Sequence, residues 1–322
     1  MSDHTLSGKS SSPLLKKKSH LREFIAQFDL QILVIPSIIH IIIFAYIPMY
    51  GILMAFQEFQ LGDFPGLSEW VGTKQFGLLV NDPNFSRVLR NTVVIAALKL
   101  VINFPIPILF AIMLNELTGR RFKRSVQTIS YLPHFISWVV GATLLFDFFS
   151  VDNGAVNTAL LGLGFIDRPI HFFGEGRLFW GMLVGTDLWK EVGWNSIIYI
   201  AAITSIDSEM YEAADIDGAG RYAKMWHITI ATIRPTIVLL FIFTIGGLLN
   251  ANFDQIMLLT NQMQNAQLRE YADVIDTYVY RVGIRDTRFS YAAAAGLFKA
   301  VVNFGLLLGA NKLASRFGEE AF

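Results

Sequence analysis

Asp207-Ser208-Glu209-Met210-Tyr211-Glu212-Ala213-Ala214-Asp215-Ile216-Asp217-Gly218-Ala219-Gly220 is a polar stretch set between two long apolar runs. Asp207 or Ser208 suits the N-cap of a helix, and Glu209 suits its positive end. Met210, Ala213, Ala214 and Asp217 recur at helical spacing and share one face, flanked by Tyr211 and Glu212. The alanines let another surface come close, while Gly218 and Gly220 permit a stop and a sharp turn. The stretch predicts a short helix with two readings: an amphipathic connector, or a helix that docks into a groove on another protein.

The surrounding chain is apolar. Of 322 residues, 53% are hydrophobic and only 16% charged, with mean hydropathy +0.46. Soluble domains carry about 25% charged residues, so the balance indicates a membrane protein. The absence of cysteine excludes disulfides and thiolate metal sites. Six segments are long enough to cross about 30 Å of hydrocarbon: residues 30–56, 91–115, 125–146, 178–206, 235–253 and 291–311. They predict an all-α protein of six transmembrane helices. The alternating strands of a barrel are absent.

Lys and Arg are dense at Lys9, Lys16, Lys17, Lys18 and Arg22, at Arg120, Arg121, Lys123 and Arg124, at Arg221, Lys224 and Arg234, and at Lys312 and Arg316. The longer intervening loops are sparser, so both termini and the Glu212 loop are expected on the cytoplasmic side. The organisation expected is a polar cytoplasmic tail (1–29), an uncleaved first span (30–56), an external loop with an interfacial helix (57–90), a core of five spans (91–314) containing a cytoplasmic loop (205–234), and a short cytoplasmic tail (315–322).

Span four carries Asp187, Lys190 and Glu191. Lys190 lies about 18 Å along the helix, near mid-membrane. Each charge there costs at least about 2.5 kcal/mol and faces a partner or a polar cavity. Asp187 and Lys190 are spaced to pair. The group reads either as a cargo path or gate, with Trp189 and Trp194 offering flat stacking faces, or as an ion-pair network against a second subunit. Lys99 and Lys299 are read as snorkelling towards span ends, or else, with Lys190, as countercharge along the route of an anionic cargo. Asn250, Asn252, Asp254 and Gln255 close span five, at a cavity or at the membrane boundary. Pro105 and Pro107 should kink span two, and Pro133 span three.

Glu212-Ala213-Ala214, three residues, Gly218, nine residues, Ile228 resembles the EAA loop of permease subunits of binding-protein-dependent ABC importers. The family's closing Leu-Pro is Ile230-Ala231 here; Arg234-Pro235 is the alternative start for span five. Glu69-Trp70-Val71-Gly72 with Phe76, and Asn91-Thr92, are similar to the start of that domain. Asp276-Thr277-Tyr278-Val279-Tyr280-Arg281-Val282-Gly283-Ile284, Trp189-Lys190-Glu191-Val192-Gly193-Trp194 and Gly296-Leu297-Phe298 resemble its polysaccharide and oligosaccharide branch, nearest to the larger permease subunits of bacterial alginate importers.

The resemblance implies the type I (MetI-like) permease architecture in the bacterial cytoplasmic (inner) membrane. It implies that Met210, Tyr211, Glu212, Ala213, Ala214, Asp217 and Gly218 dock on a cytoplasmic ATPase. It also implies a second related permease, two ATP-binding subunits that hold ATP and Mg, a periplasmic solute-binding protein, and an acidic, alginate-like cargo. No cofactor is implied in this chain, and no catalytic site. The alternative function is an ion- or proton-coupled secondary transporter relaying through Asp187 and Glu191. Gly8-Lys9-Ser10 lacks a preceding strand, and Gly218-Ala219-Gly220 follows a helix, so neither is a nucleotide-binding motif. The histidines are scattered singly, without metal-ligand spacing; His134 and His227 read as satisfied helix or loop residues.

Overall fold

The computed structural model describes residues 28–264 and 266–316. The basic tail with Gly8-Lys9-Ser10, and residues 317–322, lie outside the described residues. The chain forms two units, Met1–Gly51 and Ile52–Phe322.

The first unit contributes α1, Phe28–Ile41, continued by a π turn at Ile42–Tyr46 and by Ile47–Met49. The helical run Ile32–Phe56 has a mean hydropathy of 2.3 in its most apolar window, and none of that window is buried by protein. A naked helix of this composition is a poor solute in water and a good one in hydrocarbon.

The second unit is a helical bundle. Its elements are α2 (Lys74–Val80), α3 (Pro83–Ile102), α4 (Pro105–Asn115), α5 (Arg120–Tyr131), α6 (Trp138–Phe148), α7 (Ala155–Gly162), α8 (Gly176–Thr204), α9 (Ser208–Ile216), α10 (Arg221–Gly246), α11 (Phe253–Leu259), α12 (Ala266–Ala272), α13 (Ile275–Tyr280) and α14 (Phe289–Ser315). Among the described residues the only strand-like pairing is an isolated bridge between Gln57 and Trp70.

Among the described residues, four helices are long and apolar enough to cross a membrane: Ile32–Phe56, Pro83–Asn115, Arg221–Gly246 and Phe289–Ser315; the bent α5–α6 pair would make a fifth. The 29-residue α8 is about 43 Å long. Asp187, Lys190 and Glu191 keep it out of the apolar class.

Three expected boundaries move. Span two starts at Pro83 rather than Asn91, because Asp82 accepts from the Asn84 amide at 2.8 Å and Pro83 takes the first helical position. Its proline-rich interior is interrupted at Asn103-Phe104, where the kink was expected. Span three is not one straight helix: α5 and α6 meet at 108°. Pro133 removes an amide donor there, and Ile136 turns extended before Ser137 caps α6. Span five runs from Arg221 to Gly246 instead of 235–253. Pro235 lies inside it rather than starting it, after a π turn at Met225–Ile230.

Helix α8 packs against α4, α5 and α12, and α10 against α14. One core gathers Ile95, Phe179, Leu183, Ile256 and Leu259. A second holds Leu79, Phe85, Val88, Tyr278 and Tyr291. A third, Ala111, Ile112, Tyr199, Ile203 and Ile233, lies towards the α9 end of α8.

The second core is threaded by polar groups that spacing did not reveal. The Tyr278 hydroxyl donates to Asp82 Oδ2 at 2.7 Å, the Tyr291 hydroxyl donates to the same oxygen at 2.9 Å, and the two hydroxyls are 2.9 Å apart. Asn91 Nδ2 donates to the Glu270 and Asp273 carbonyls, and the Ile275 amide to Thr92 Oγ1. Asp273 is fully buried and paired with Arg281. These bonds tie α3, α13 and α14 together. Burial pushes the Asp82 carboxyl up, but hydrogen bonds from Tyr278, the Asn84 amide and Tyr291 outweigh it and hold it below the usual carboxylate range. A depressed folded value means the stabilisation is complete above the unfolded value, about 3.9, and is lost as pH falls through the lower folded one. Burial, then Tyr291 and Asp82, push the Tyr278 hydroxyl far above the ordinary phenol range, so it remains a donor. Tyr278→Phe should therefore cost about 1.5–3 kcal/mol by removing a donor to a charged acceptor. Thermal melting in detergent near neutral pH checks this, and the deficit against wild type should shrink in strong acid.

Candidate functional site

The first candidate element is the loop after α8. Asp207 caps α9, accepting from the Glu209 amide at 3.0 Å. The helix ends in paired C-terminal bonds: the Gly218 amide donates to Asp215 O at 3.1 Å and the Ala219 amide to Ala214 O at 2.9 Å. This Schellman closure needs a left-handed residue, which Gly218 supplies at φ +74°. Nothing lies near the Gly218 Cα, so the requirement is conformational rather than steric. Met210, Glu212 and Ala213 are exposed, Ala214 is half-buried, and no residue of α9 is fully buried. The helix is held by its edges. Tyr211 Oη lies 2.9 Å from Thr229 Oγ1, Lys224 pairs with Asp215 at 2.6 Å, and Arg221 pairs with Glu116 at 2.6 Å. These contacts fasten α9 to the start of α10 and, through Arg221, to the end of α4, leaving the Glu212-Ala213 face open. Ile228 lies within the π turn that follows.

The second element is a cavity of about 550 Å³ in the bundle, with Asp187, Trp194, Asn250, Asn252, Lys99 and Asn103 on its wall. It brings together four of the seven residues proposed for a cargo path. Asn250 and Asn252 stand in the break between α10 and α11, with Asn252 at the N-cap of α11, rather than at the end of span five. Asn252, at φ +59°, turns that break, and its side chain accepts from the Gln255 amide. Asp187 does not pair with Lys190. It takes Lys99 Nζ at 3.2 Å, Asn103 Nδ2 at 2.8 Å and Asn252 Nδ2 at 3.5 Å. Lys99 is therefore an interior partner and does not snorkel. Lys299 is likewise paired inward, with Asp276.

Lys190, Glu191 and Trp189 face elsewhere. Lys190 is buried and donates to the His134 carbonyl at 2.6 Å. Glu191 lies 2.7 Å from His134 Nδ1 and 3.5 Å from Lys190. The His134 ring stacks on Trp194 at 4.1 Å, nearly parallel. Thus α8 grips the α5–α6 elbow, and Trp194 joins that grip to the cavity wall. His134 is not merely a satisfied loop residue; a lone histidine in sequence gives no sign of a partner 57 positions away. Gly193 completes the contact: a β-carbon there would strike the Ser130 backbone carbonyl. Trp189 lines a separate, apolar pocket with Gly181 and Gly185.

A lipid-compatible helical bundle with a cavity that carries a cluster of polar side chains on a largely apolar wall, and an exposed, capped helix at one loop, fits a membrane transport component. The chain belongs to the family of binding-protein-dependent transport system inner membrane components, which it matches over residues 103–318. It is 43% identical over 293 residues to Protein LplB of Bacillus subtilis (strain 168), covering 90% of each chain. It is 44% identical over 307 residues to the polygalacturonan/rhamnogalacturonan transport system permease protein YteP of the same organism, covering 95% of this chain and 93% of that one. Its fold is similar to a chain of a bacterial alginate ABC transporter solved in complex with an alginate pentasaccharide-bound periplasmic protein, with TM-score 0.85 and 37% identity over 94% of this chain and 99% of that one. A structure of a bacterial ABC transporter importing the acidic polysaccharide alginate gives TM-score 0.83, again at 37% identity, over 92% and 98%.

The α9 closure makes a local prediction. Gly218→Val forces a β-branched residue into the left-handed region, at a cost of about 1–2 kcal/mol or more, so the Ala219 amide should exchange with solvent about ten-fold faster. Gly218→Asn should leave its protection nearly unchanged. Equal protection in all three proteins would show that the cap does not depend on this conformation.

Proposed function

We propose that this chain is one permease subunit of an ATP-driven, binding-protein-dependent importer of acidic polysaccharide or oligosaccharide in the bacterial cytoplasmic membrane. The observation that carries the reading is α9: a helix capped at both ends and fastened at its edges, yet open across Glu212 and Ala213, in a chain of this family. A helix so held moves as a rigid lever. Docked on a partner ATPase, which would bind ATP and Mg, it would pass nucleotide-driven motion to α8 and α10, both of which bound the cavity. Six spans, cytoplasmic termini, a second permease, a pair of ATP-binding subunits and a periplasmic binding protein complete the assembly we propose. The names of the relatives support a saccharide cargo, and a cavity wall with a tryptophan beside a few polar side chains suits one. The relay reading has less support, because Asp187 and Glu191 turn to different partners.

In mild detergent the chain should co-purify with an ATP-binding protein. Glu212→Lys should abolish ATP hydrolysis stimulated by the loaded binding protein while the variant still inserts and folds. Full stimulation in that variant would contradict docking through α9.

A further inference from the structure

The cavity wall carries a carboxylate site that the protein fills itself. Two carboxylate oxygens of Asp187 meet three side-chain donors: Lys99 from α3, Asn103 from the interruption after it, and Asn252 from the break before α11. A structural ion pair needs one cation; here a cation and two amides from separate elements converge. Lys99 is positioned without help from Asp187. Gln255 Oε1 also accepts from it at 3.3 Å, and buried Gln255 is anchored through Nε2 to Leu183 O at 2.8 Å and Thr186 Oγ1 at 2.9 Å. Asn103 Oδ1 is buried without a partner, an acceptor left over at the same junction. The Lys99 and Asp187 side chains keep 17% and 15% of their exposure, on the cavity side.

We propose that Lys99, Asn103 and Asn252 form a receptor for a cargo carboxylate, with Asp187 as its internal occupant, displaced when a uronate-containing sugar enters. The inference rests on the importer reading and names the group that selects its cargo. The exchange keeps Lys99 paired throughout, while the displaced Asp187 carboxylate passes from the ammonium to neutral hydrogen-bond donors. Leaving Lys99 without a counterion in the bundle would be costly, so an uncharged sugar cannot drive the displacement. A uronate supplies the replacement carboxylate, and its neighbouring hydroxyls supply donors for the displaced Asp187. In the resting state the Asp187 carboxylate keeps small anions off Lys99.

The test is direct binding of trigalacturonate to the detergent-solubilised transporter complex, without binding protein, by calorimetry. Asp187→Asn removes the internal competitor and leaves Lys99 free, so affinity should rise about ten-fold or more, the scale of one charge-assisted hydrogen bond. Asn252→Gly, which keeps the left-handed backbone and deletes a donor, should weaken binding. If Asp187→Asn does not assemble, Asn252→Gly and Asn103→Ala decide, each expected to bind more weakly than wild type. Unchanged or weaker binding in an intact Asp187→Asn complex overturns the proposal, as does binding unaffected by either asparagine change. A wild-type complex whose ATP hydrolysis responds to loaded binding protein, but which binds uncharged trisaccharide and not trigalacturonate, overturns this inference and leaves the importer reading standing. Loss of that ATP response removes the reading itself.

Discussion

A carboxylate inside an apolar bundle must be met by donors, and the central architecture follows from how Asp187 is met. A charge at mid-bilayer costs a few kcal/mol on insertion scales even when it finds partial relief. Lys99, Asn103 and Asn252 provide that relief from α3, from the α3–α4 interruption and from the α10–α11 break. Two of the three donors are on non-helical backbone. Irregular backbone inside an apolar bundle is tolerated where it is buried in protein or lines a cavity, and here it does the latter. The ion pair, the helix interruptions and the cavity are one feature seen three ways.

The remaining charges of α8 serve its other side. Lys190 and Glu191 engage His134 at the α5–α6 elbow, where Pro133 has left the backbone short of donors and the Lys190 ammonium satisfies an exposed carbonyl. Trp194 stacks on His134 and also forms part of the cavity wall. At its far end α8 leads within a few residues to the Asp207 cap of α9. A single helix therefore touches the elbow and lines the cavity, and leads through Ser205 and Ile206 into the exposed α9. A rigid displacement of α9 has few ways to avoid disturbing the other two.

The sequence made some of this legible and hid the rest for physical reasons. Helices α8, α9 and α14 were readable because apolar runs, caps and glycines act locally: Asp207 and Gly218 announced α9 by type and spacing. The break at Pro105 and the bend at Pro133 were legible in place, though the 108° angle was not, since it depends on what α8 offers the elbow. Span five was displaced by half its length because Pro235 looked like a start signal, yet the π turn at Met225–Ile230 carries the helix through it. Pairing was the least visible layer. Asp187 had Lys190 one turn away, but its partner is Lys99, 88 positions earlier, and a cross-bundle choice leaves no mark in local spacing. The Asp82–Tyr278–Tyr291 cluster escaped for the same reason. The family resemblance was carried by Glu212 to Ile228 and by the segment at Asp276, and the match over residues 103–318 contains both.

If α9 acts as a lever, its movement is felt in the cavity. The chain has no cysteine, so one introduced at Thr244→Cys on the cavity wall is the only thiol of this subunit, read on its own band after the labelled complex is separated. Its rate of labelling by a water-soluble maleimide should be measured in the assembled complex, with and without trapped ATP, in the wild-type and Glu212→Lys backgrounds. The rate should change with nucleotide in the first background and stay constant in the second. A nucleotide-independent rate in both, or an equal change in both, would contradict it.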